Sequence, residues 1–264
     1  MMRNKEVLNE IRKQSRTLIE EKRDKFVKQS LLSDEFIDMM QRNRKPFDLL
    51  MSYYQCAIME IETKFRVLSE QFSLKYDRNP IETIKSRLKS QDSILKKMNR
   101  KGIPVSLEAM EREIDDIAGV RVICSFVEDV YMLADCLLQQ DDITLLEKKD
   151  YIKHPKDSGY RSLHLIVQVP IFLQNEKRPM KVEVQIRTIA MDFWASLEHQ
   201  LKYKQEVPNQ QEIVSQLTDC AERIAEIDRQ MYRVRQQIEQ SEDKPTEEEI
   251  LMEKLRRIDI ATSE

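Results

Sequence analysis

Glycine is the scarcest informative residue in this chain: three in 264, at Gly102, Gly119 and Gly159. Neither G-x-x-x-x-G-K-[ST] nor G-x-G-x-x-G occurs, so a P-loop and a dinucleotide-binding fingerprint are both excluded. H-E-x-x-H and the G-x-S-x-G nucleophile elbow are missing too. None of His154, His164 and His199 is followed by aspartate, which removes a histidine–aspartate metal hydrolase core. The four cysteines, Cys56, Cys124, Cys136 and Cys220, form no C-x-x-C pair; free thiols in a reducing cytosol are expected rather than disulfides or a zinc site. No apolar run is long enough to span a bilayer and no signal peptide is evident, so a cytoplasmic protein without membrane association is expected. With so few glycines, each is expected to have a specific use, in a turn or at a close approach.

Charge is plentiful but balanced. Thirty-four per cent of residues are charged, above the usual quarter, yet the net charge is only −3. Long solvated helices are implied, and any phosphate binding must come from local clusters. The length suggests one domain with helical extensions. Residues 1–45 read as a charged helical extension. After Pro46, a residue suited to a first helical turn, Phe47, Leu50, Tyr54, Ile58, Ile61, Phe65, Leu68 and Phe72 mark one face of a long core helix. Asn79, Pro80 and Glu82 resemble a helix start, so a helix is expected from there, with Ser90 as an alternative second cap that would leave 86–89 non-helical. A short acidic helix is expected over 106–116, a buried strand over 120–126, a helix over 128–140, strands over 143–148, 162–169 and 181–187, and a helix over 188–205. From Ile213 through Leu217, Cys220, Ile224, Ile227, Met231 and Val234 to Ile238 the apolar steps alternate four and three, a heptad seam that packs on its own domain or on another subunit. Pro245 then precedes a short charged tail helix. The expected architecture is α+β: a mixed sheet of four to five strands flanked by helices, a core domain over 46–205, and an amphipathic helix and tail over 206–264.

Four constellations carry chemistry. Between Lys85 and Lys101 seven basic side chains face the single acid Asp92; they can neutralise a triphosphate, or simply form a solvated helix face. Asp116, followed by Ile117-Ala118-Gly119-Val120-Arg121, can hold a magnesium ion at a sheet edge, or can be a turn residue. Ser158-Gly159-Tyr160-Arg161-Ser162-Leu163-His164 offers a tight turn, an aromatic for stacking and an arginine for phosphate, though each residue alone is ordinary. Glu183, Gln185 and Arg187 put a polar stripe on a strand otherwise built for burial, which is costly unless it is used or faces solvent. Two carboxylates, adjacent bases and no covalent nucleophile suit phosphoryl-type transfer, where positioning and charge neutralisation do most of the work.

Taken in order, Arg87-x-Lys89 with Ser93-Ile94 and Lys97, Asp116 to Arg121, Ser158 to His164, Glu183-Val184-Gln185-Ile186-Arg187-Thr188 and Phe193-Trp194-Ala195-Ser196-Leu197-Glu198-His199 resemble the synthetase domain of the RelA/SpoT family. The likeness spans about 46–240; the chain resembles the small alarmone synthetases, and Asp192-Phe193-Trp194 looks most like their RelP group. The resemblance implies a nucleotidyltransferase-like fold, a homotetramer held by terminal helices, and GTP pyrophosphokinase activity in the stringent response: transfer of the β,γ-pyrophosphate of ATP to the 3′-hydroxyl of GDP or GTP. It implies that Arg87 and Arg121 sandwich adenine and that Lys89, Lys97 and Arg100, with Ser93 in the same motif, hold the ATP phosphates. Asp116 and Glu183 would coordinate Mg²⁺, Glu183 also accepting the proton of the 3′-hydroxyl. Tyr160 would stack on guanine, with Lys156, Arg161, His164 and Gln185 lining the acceptor nucleotide. A carboxylate at Asp192 can accept from guanine N1–H and its 2-amino group together, so a role in choosing guanine is expected; capping of the nearby helix is the alternative. Transfer to the 3′ end of tRNA or to an adenine nucleotide stays open. So does a non-catalytic helical scaffold or RNA-binding module, although it would not require both carboxylates.

Overall fold

The computed structural model describes residues 44–75, 78–202 and 210–241. Nearly all of the expected N-terminal extension, and the tail helix after Pro245, lie outside these residues. Contacts divide the chain into two compact units, one running to Pro155 and including Arg161–Arg187, the other made of Lys156–Tyr160 and the chain from Thr188 onward.

In the first unit, helix α1 (Arg44–Lys75) presents Phe47, Leu50, Tyr54, Ala57, Ile58, Ile61, Phe65 and Phe72 as its buried face. This is the expected stripe, with Leu68 only partly covered. Each buried Leu, Ile or Phe among them contributes about 1.5–3 kcal/mol, which anchors the helix on β1, β2 and β4.

The segment after Asn79 corrects the sequence reading. It forms a strand, β1 (Ile81–Leu88), instead of a helix. Asn79 Oδ1 accepts from the Ile81 N–H two residues on (2.9 Å), closing a local turn that a helix start and a strand start can share. β-Branched Ile81, Thr83 and Ile84 suit the strand, which pairs with β2 from Ile81↔Cys124 to Leu88↔Ala118. Arg78 forks onto the buried Asp129 (2.9 and 2.5 Å), tying the approach to β1 to the start of α4. Ser90, the alternative cap, does start a helix: α2 (Gln91–Lys101), which Gly102 ends in the left-handed conformation at φ 66°.

Helix α3 (Leu107–Glu113), capped by Ser106, leads into β2 (Ala118–Cys124). Then come α4 (Val127–Leu138), β3 (Thr144–Asp150), β4 (Leu163–Phe172) and β5 (Lys177–Thr188). The last two run past the expected ends because Pro170 and Pro179 sit opposite each other in register and do not stop the ladder. The five strands form one mixed sheet in the order β1-β2-β5-β4-β3. Val120, Val122, Leu163, Leu165, Val182, Val184 and Ile186 point to the buried face under α1 and α4. The alternating positions Arg121, His164, Glu183, Gln185 and Arg187 form the opposite, polar face.

The second unit contains α5 (Ile189–Lys202) and α6 (Gln210–Ser241), which pack on each other. Ala221 and Asp228 are buried on α6, whereas Ile227, Met231, Val234 and Ile238 of the heptad seam are about half exposed. Among the described residues no helix is long and apolar enough to cross a membrane.

Candidate active site

The end of β1 and the approach to β2 meet at Asp116. Helix α3 stops at Glu113, so Asp116 lies in the turn before the strand, clear of any helix terminus. The Lys89 N–H donates to the Ile117 carbonyl (2.8 Å), which sets Lys89 beside Asp116. Its Nζ reaches Asp116 Oδ2 at 2.5 Å. Because Ser90 turns the chain into α2, Lys97 points back to Asp116 Oδ1 at 2.8 Å. All three side chains are more than four-fifths covered. Burial pushes the Asp116 carboxyl up, but the two ammonium groups outweigh it and hold it below its ordinary range.

Glu183 is held differently. Its Oε1 lies 3.1 Å from His164 Nδ1, and its Oε2 accepts from Gln185 Nε2 at 2.8 Å. Arg187 Nη2 donates to Gln185 Oε1 (2.6 Å), so the polar stripe on β5 is one chain of contacts from Arg187 through Gln185 to Glu183. Tyr151 packs edge-on against His164, ring centroids 5.2 Å apart. The Glu183 side chain is 14% exposed, which excludes a merely solvated face. Burial raises its carboxyl; His164 and Gln185 more than reverse this, and the negative charge of Asp116 opposes them. The two carboxylates therefore stand within electrostatic reach of each other, Asp116 in the turn that enters β2 and Glu183 on the neighbouring β5, both ionised at neutral pH.

Beside them lies a groove lined by Lys85, Ser86, Arg87, Gly119, Val120, Arg121 and Gln185. Arg87 and Gly119 are cross-strand partners, as are Lys85 and Arg121. A Cβ at Gly119 would meet Arg87 Cγ at 3.5 Å, so the missing side chain leaves the groove open beside the arginine. Ser93 is in the exposed first turn of α2, its N–H on Ser90 Oγ (3.4 Å). Arg100 is exposed in the last turn of α2, and the structure does not bring it onto Asp116.

The expected acceptor residues fall in both units. Arg161, His164 and Gln185 belong to the sheet unit; Lys156, Tyr160 and Asp192 belong to the helical unit. Within the latter, Lys156 Nζ lies over the Tyr160 ring (4.8 Å), and the Tyr160 and Trp194 ring centroids are 6.5 Å apart. Thr188 Oγ1 accepts from the Met191 N–H (3.1 Å) and caps α5, so the buried Asp192 is not the cap.

Residues 86–208 match the model of the region found in RelA/SpoT proteins. The chain is 44% identical over 188 residues to GTP pyrophosphokinase YwaC of Bacillus subtilis, covering 70% of this chain and 89% of that one. The chain belongs to the RelA/SpoT family. It is also 34% identical over 199 residues to GTP pyrophosphokinase YjbM of Bacillus subtilis, covering 75% of this chain and 92% of the relative. The crystal structure of small alarmone synthetase 1 from Bacillus subtilis bound to its product pppGpp superposes with a TM-score of 0.68 at 34% identity, covering 74% of this chain and 98% of that one.

The donor set around Asp116 and Glu183 fits a magnesium ion on chemical grounds. Asp116 Oδ1 is buried and met by the Lys97 ammonium at 2.8 Å without an aligned hydrogen bond, a position where a metal cation could take the ammonium's place. Mg²⁺ is commonly held by one or two carboxylates, with phosphates and water completing its octahedron. Among the described residues no group of three or more His, Cys, Asp or Glu forms a fuller cage.

One basic residue near His164 and Glu183 escaped the sequence reading. Lys149 on β3 pairs in register with His164, which pairs with Gln185, and its ammonium is raised chiefly by Glu147 with a further contribution from Glu183. Only the antiparallel register of β3 on β4 reveals it.

Proposed function

We propose that this chain is a GTP pyrophosphokinase that moves the β,γ-pyrophosphate of ATP to the 3′-hydroxyl of GDP or GTP. The observation that carries this reading is the pair of mostly covered, ionised carboxylates: Asp116, between Lys89 and Lys97 at the entry to β2, and Glu183, between His164 and Gln185 on the adjacent β5. Arg87 and Arg121 flank the groove and take the adenine; Lys89, Lys97, Ser93 and Arg100 serve the ATP phosphates. Asp116 and Glu183 would hold Mg²⁺, which when bound neutralises phosphate charge. Tyr160 stacks on guanine; Lys156, Arg161, His164 and Gln185 line the acceptor, and Asp192 favours guanine through two hydrogen bonds.

The step is a single in-line displacement. The 3′-oxygen forms a bond to the β-phosphorus of ATP while the bond from that phosphorus to the α,β-bridging oxygen breaks. AMP leaves with that oxygen, and Glu183 accepts the hydroxyl proton. Lys89 and Lys97 turn from Asp116 toward the phosphates as charge accumulates.

The exposed seam at Ile227, Met231, Val234 and Ile238 supports self-association through α6, which we take to be tetrameric. A cytoplasmic location follows from the nucleotide substrates.

Chromatography of products from ATP with GMP, GDP, GTP or tRNA, with and without Mg²⁺, tests the reading. AMP appearing with a 3′-pyrophosphorylated guanine nucleotide is the expected result. Consumption of ATP only when tRNA is supplied would establish the tRNA alternative, and no consumption at all would establish a non-catalytic scaffold.

A further inference from the structure

The turn that carries Tyr160 is grouped with the helices rather than with the sheet that flanks it in sequence. The reason is a close approach. Gly159 stands at φ +83°, and a Cβ built on it would lie 2.4 Å from the Cβ of Ala221 on α6, with Thr218 Cα 3.5 Å away. Real carbons do not come that close, so the turn backbone rests directly on the helix at a position where the turn has no side chain and the helix only a methyl group. Ala221 is 3% exposed, the only fully covered apolar side chain on the described part of α6. The turn is closed on itself by Gly159 N–H to Lys156 O (2.7 Å) and Lys156 N–H to Tyr160 O (3.2 Å), so displacement at Gly159 carries Lys156 and Tyr160 with it. The same helix accepts the Trp194 indole N–H at Leu217 O (3.0 Å), one turn before Ala221.

We infer that Ala221 is a positioning residue for the acceptor nucleotide: its methyl group forms the seat that fixes the 156–160 turn, and thereby the placement of Lys156 and Tyr160. This rests on the reading of Tyr160 and Lys156 as acceptor contacts. ATP affinity does not depend on the seat, because the residues assigned to ATP are all carried by the other unit. An ångström of displacement in a substrate-positioning group is enough to cost one to two orders of magnitude.

The test is steady-state kinetics on the full chain with GDP and ATP varied separately. Ala221→Leu should raise the KM for GDP roughly tenfold or more while the KM for ATP changes less than about twofold. Glu222→Leu, which puts the same leucine side chain at the neighbouring exposed position, should leave both unchanged. Gly159→Ala should behave like Ala221→Leu, and Ala221→Gly in the same chain should recover part of the GDP KM by removing the carbon it strikes; the remainder is the left-handed backbone cost for alanine. Emission of Trp194, the single tryptophan, reports the same packing without substrate and should shift in Ala221→Leu but not in Glu222→Leu. An unchanged GDP KM in Ala221→Leu, an equal rise for both substrates, or no recovery in the double variant would overturn the inference. A wild-type chain that makes no guanine product overturns the proposed function instead, and Trp194 emission then still decides whether the seat exists. Should Ala221→Leu melt below the assay temperature, the Gly159→Ala and double-variant pair decides alone.

Discussion

Asp116 and Glu183 differ in what surrounds them. Asp116 is clasped by two cations, Lys89 and Lys97, while Glu183 is held by an imidazole and a neutral amide, itself steadied by Arg187. The first arrangement is an ion cluster whose lysines can transfer to incoming phosphates. The second keeps a carboxylate ionised and oriented without committing a full positive charge from lysine or arginine to it. The roles proposed for them, holding a cation and accepting a proton, have these separate needs, and the strand order that makes β2 and β5 neighbours brings the two carboxylates together.

The comparison can be broken at either end. Glu183→Val should reduce turnover by about 10³-fold or more with the melting temperature nearly unchanged, since it removes the charge and proton acceptor together; near-normal turnover would remove Glu183 from the chemistry. Asp116→Asn should also lower kcat, by about 10²-fold or more, but it strands two covered lysines and should therefore cost stability of about 1–3 kcal/mol, read by urea unfolding. A loss of stability in the Glu183 variant exceeding that in the Asp116 variant would reverse the contrast drawn above. Tyr160→Ala should raise the KM for the guanine nucleotide roughly tenfold and leave that for ATP alone, as expected for the loss of one base–aromatic stack. The smallest effect is on pH. Both carboxyls titrate below their ordinary values of 3.8 and 4.5, so the unfolded chain binds these protons first. The stability they contribute is complete above about pH 4.5 and is lost as pH falls below it, through the lower folded values. Denaturant midpoints taken from pH 6 down to pH 3 should fall, and in Asp116→Asn they should fall less.

Legibility in the sequence tracked how local each signal was. The face of α1 was readable residue by residue because helical periodicity repeats over nine turns in one segment. The motif carboxylates were readable because each sits in an ordered set of neighbours. The strand β1 was misread as helix because Asn79-Pro80 starts a turn in either structure; what decides is pairing with β2, some forty residues away. Arg100 carries the same charge as Lys97 and lies on the same helix, yet only Lys97 returns to Asp116; Arg100 stands nearly one turn further along, in the exposed last turn. Lys149 and Ala221 had no sequence signal: one acquires its place from strand register, the other from a backbone contact with a glycine sixty-two residues earlier.

By itself the sequence determined the inventory: a helix-rich chain poor in glycine, a basic segment between Lys85 and Lys101, two carboxylates in named motifs, and a heptad helix near its end. Tertiary structure decided which of those groups share an environment. It set Asp116 between Lys89 and Lys97, gave Glu183 to His164 and Gln185, and attached the Tyr160 turn to α6. Charge and periodicity are properties of single segments, whereas burial, register and van der Waals contact belong to pairs of segments and exist only once the chain has folded.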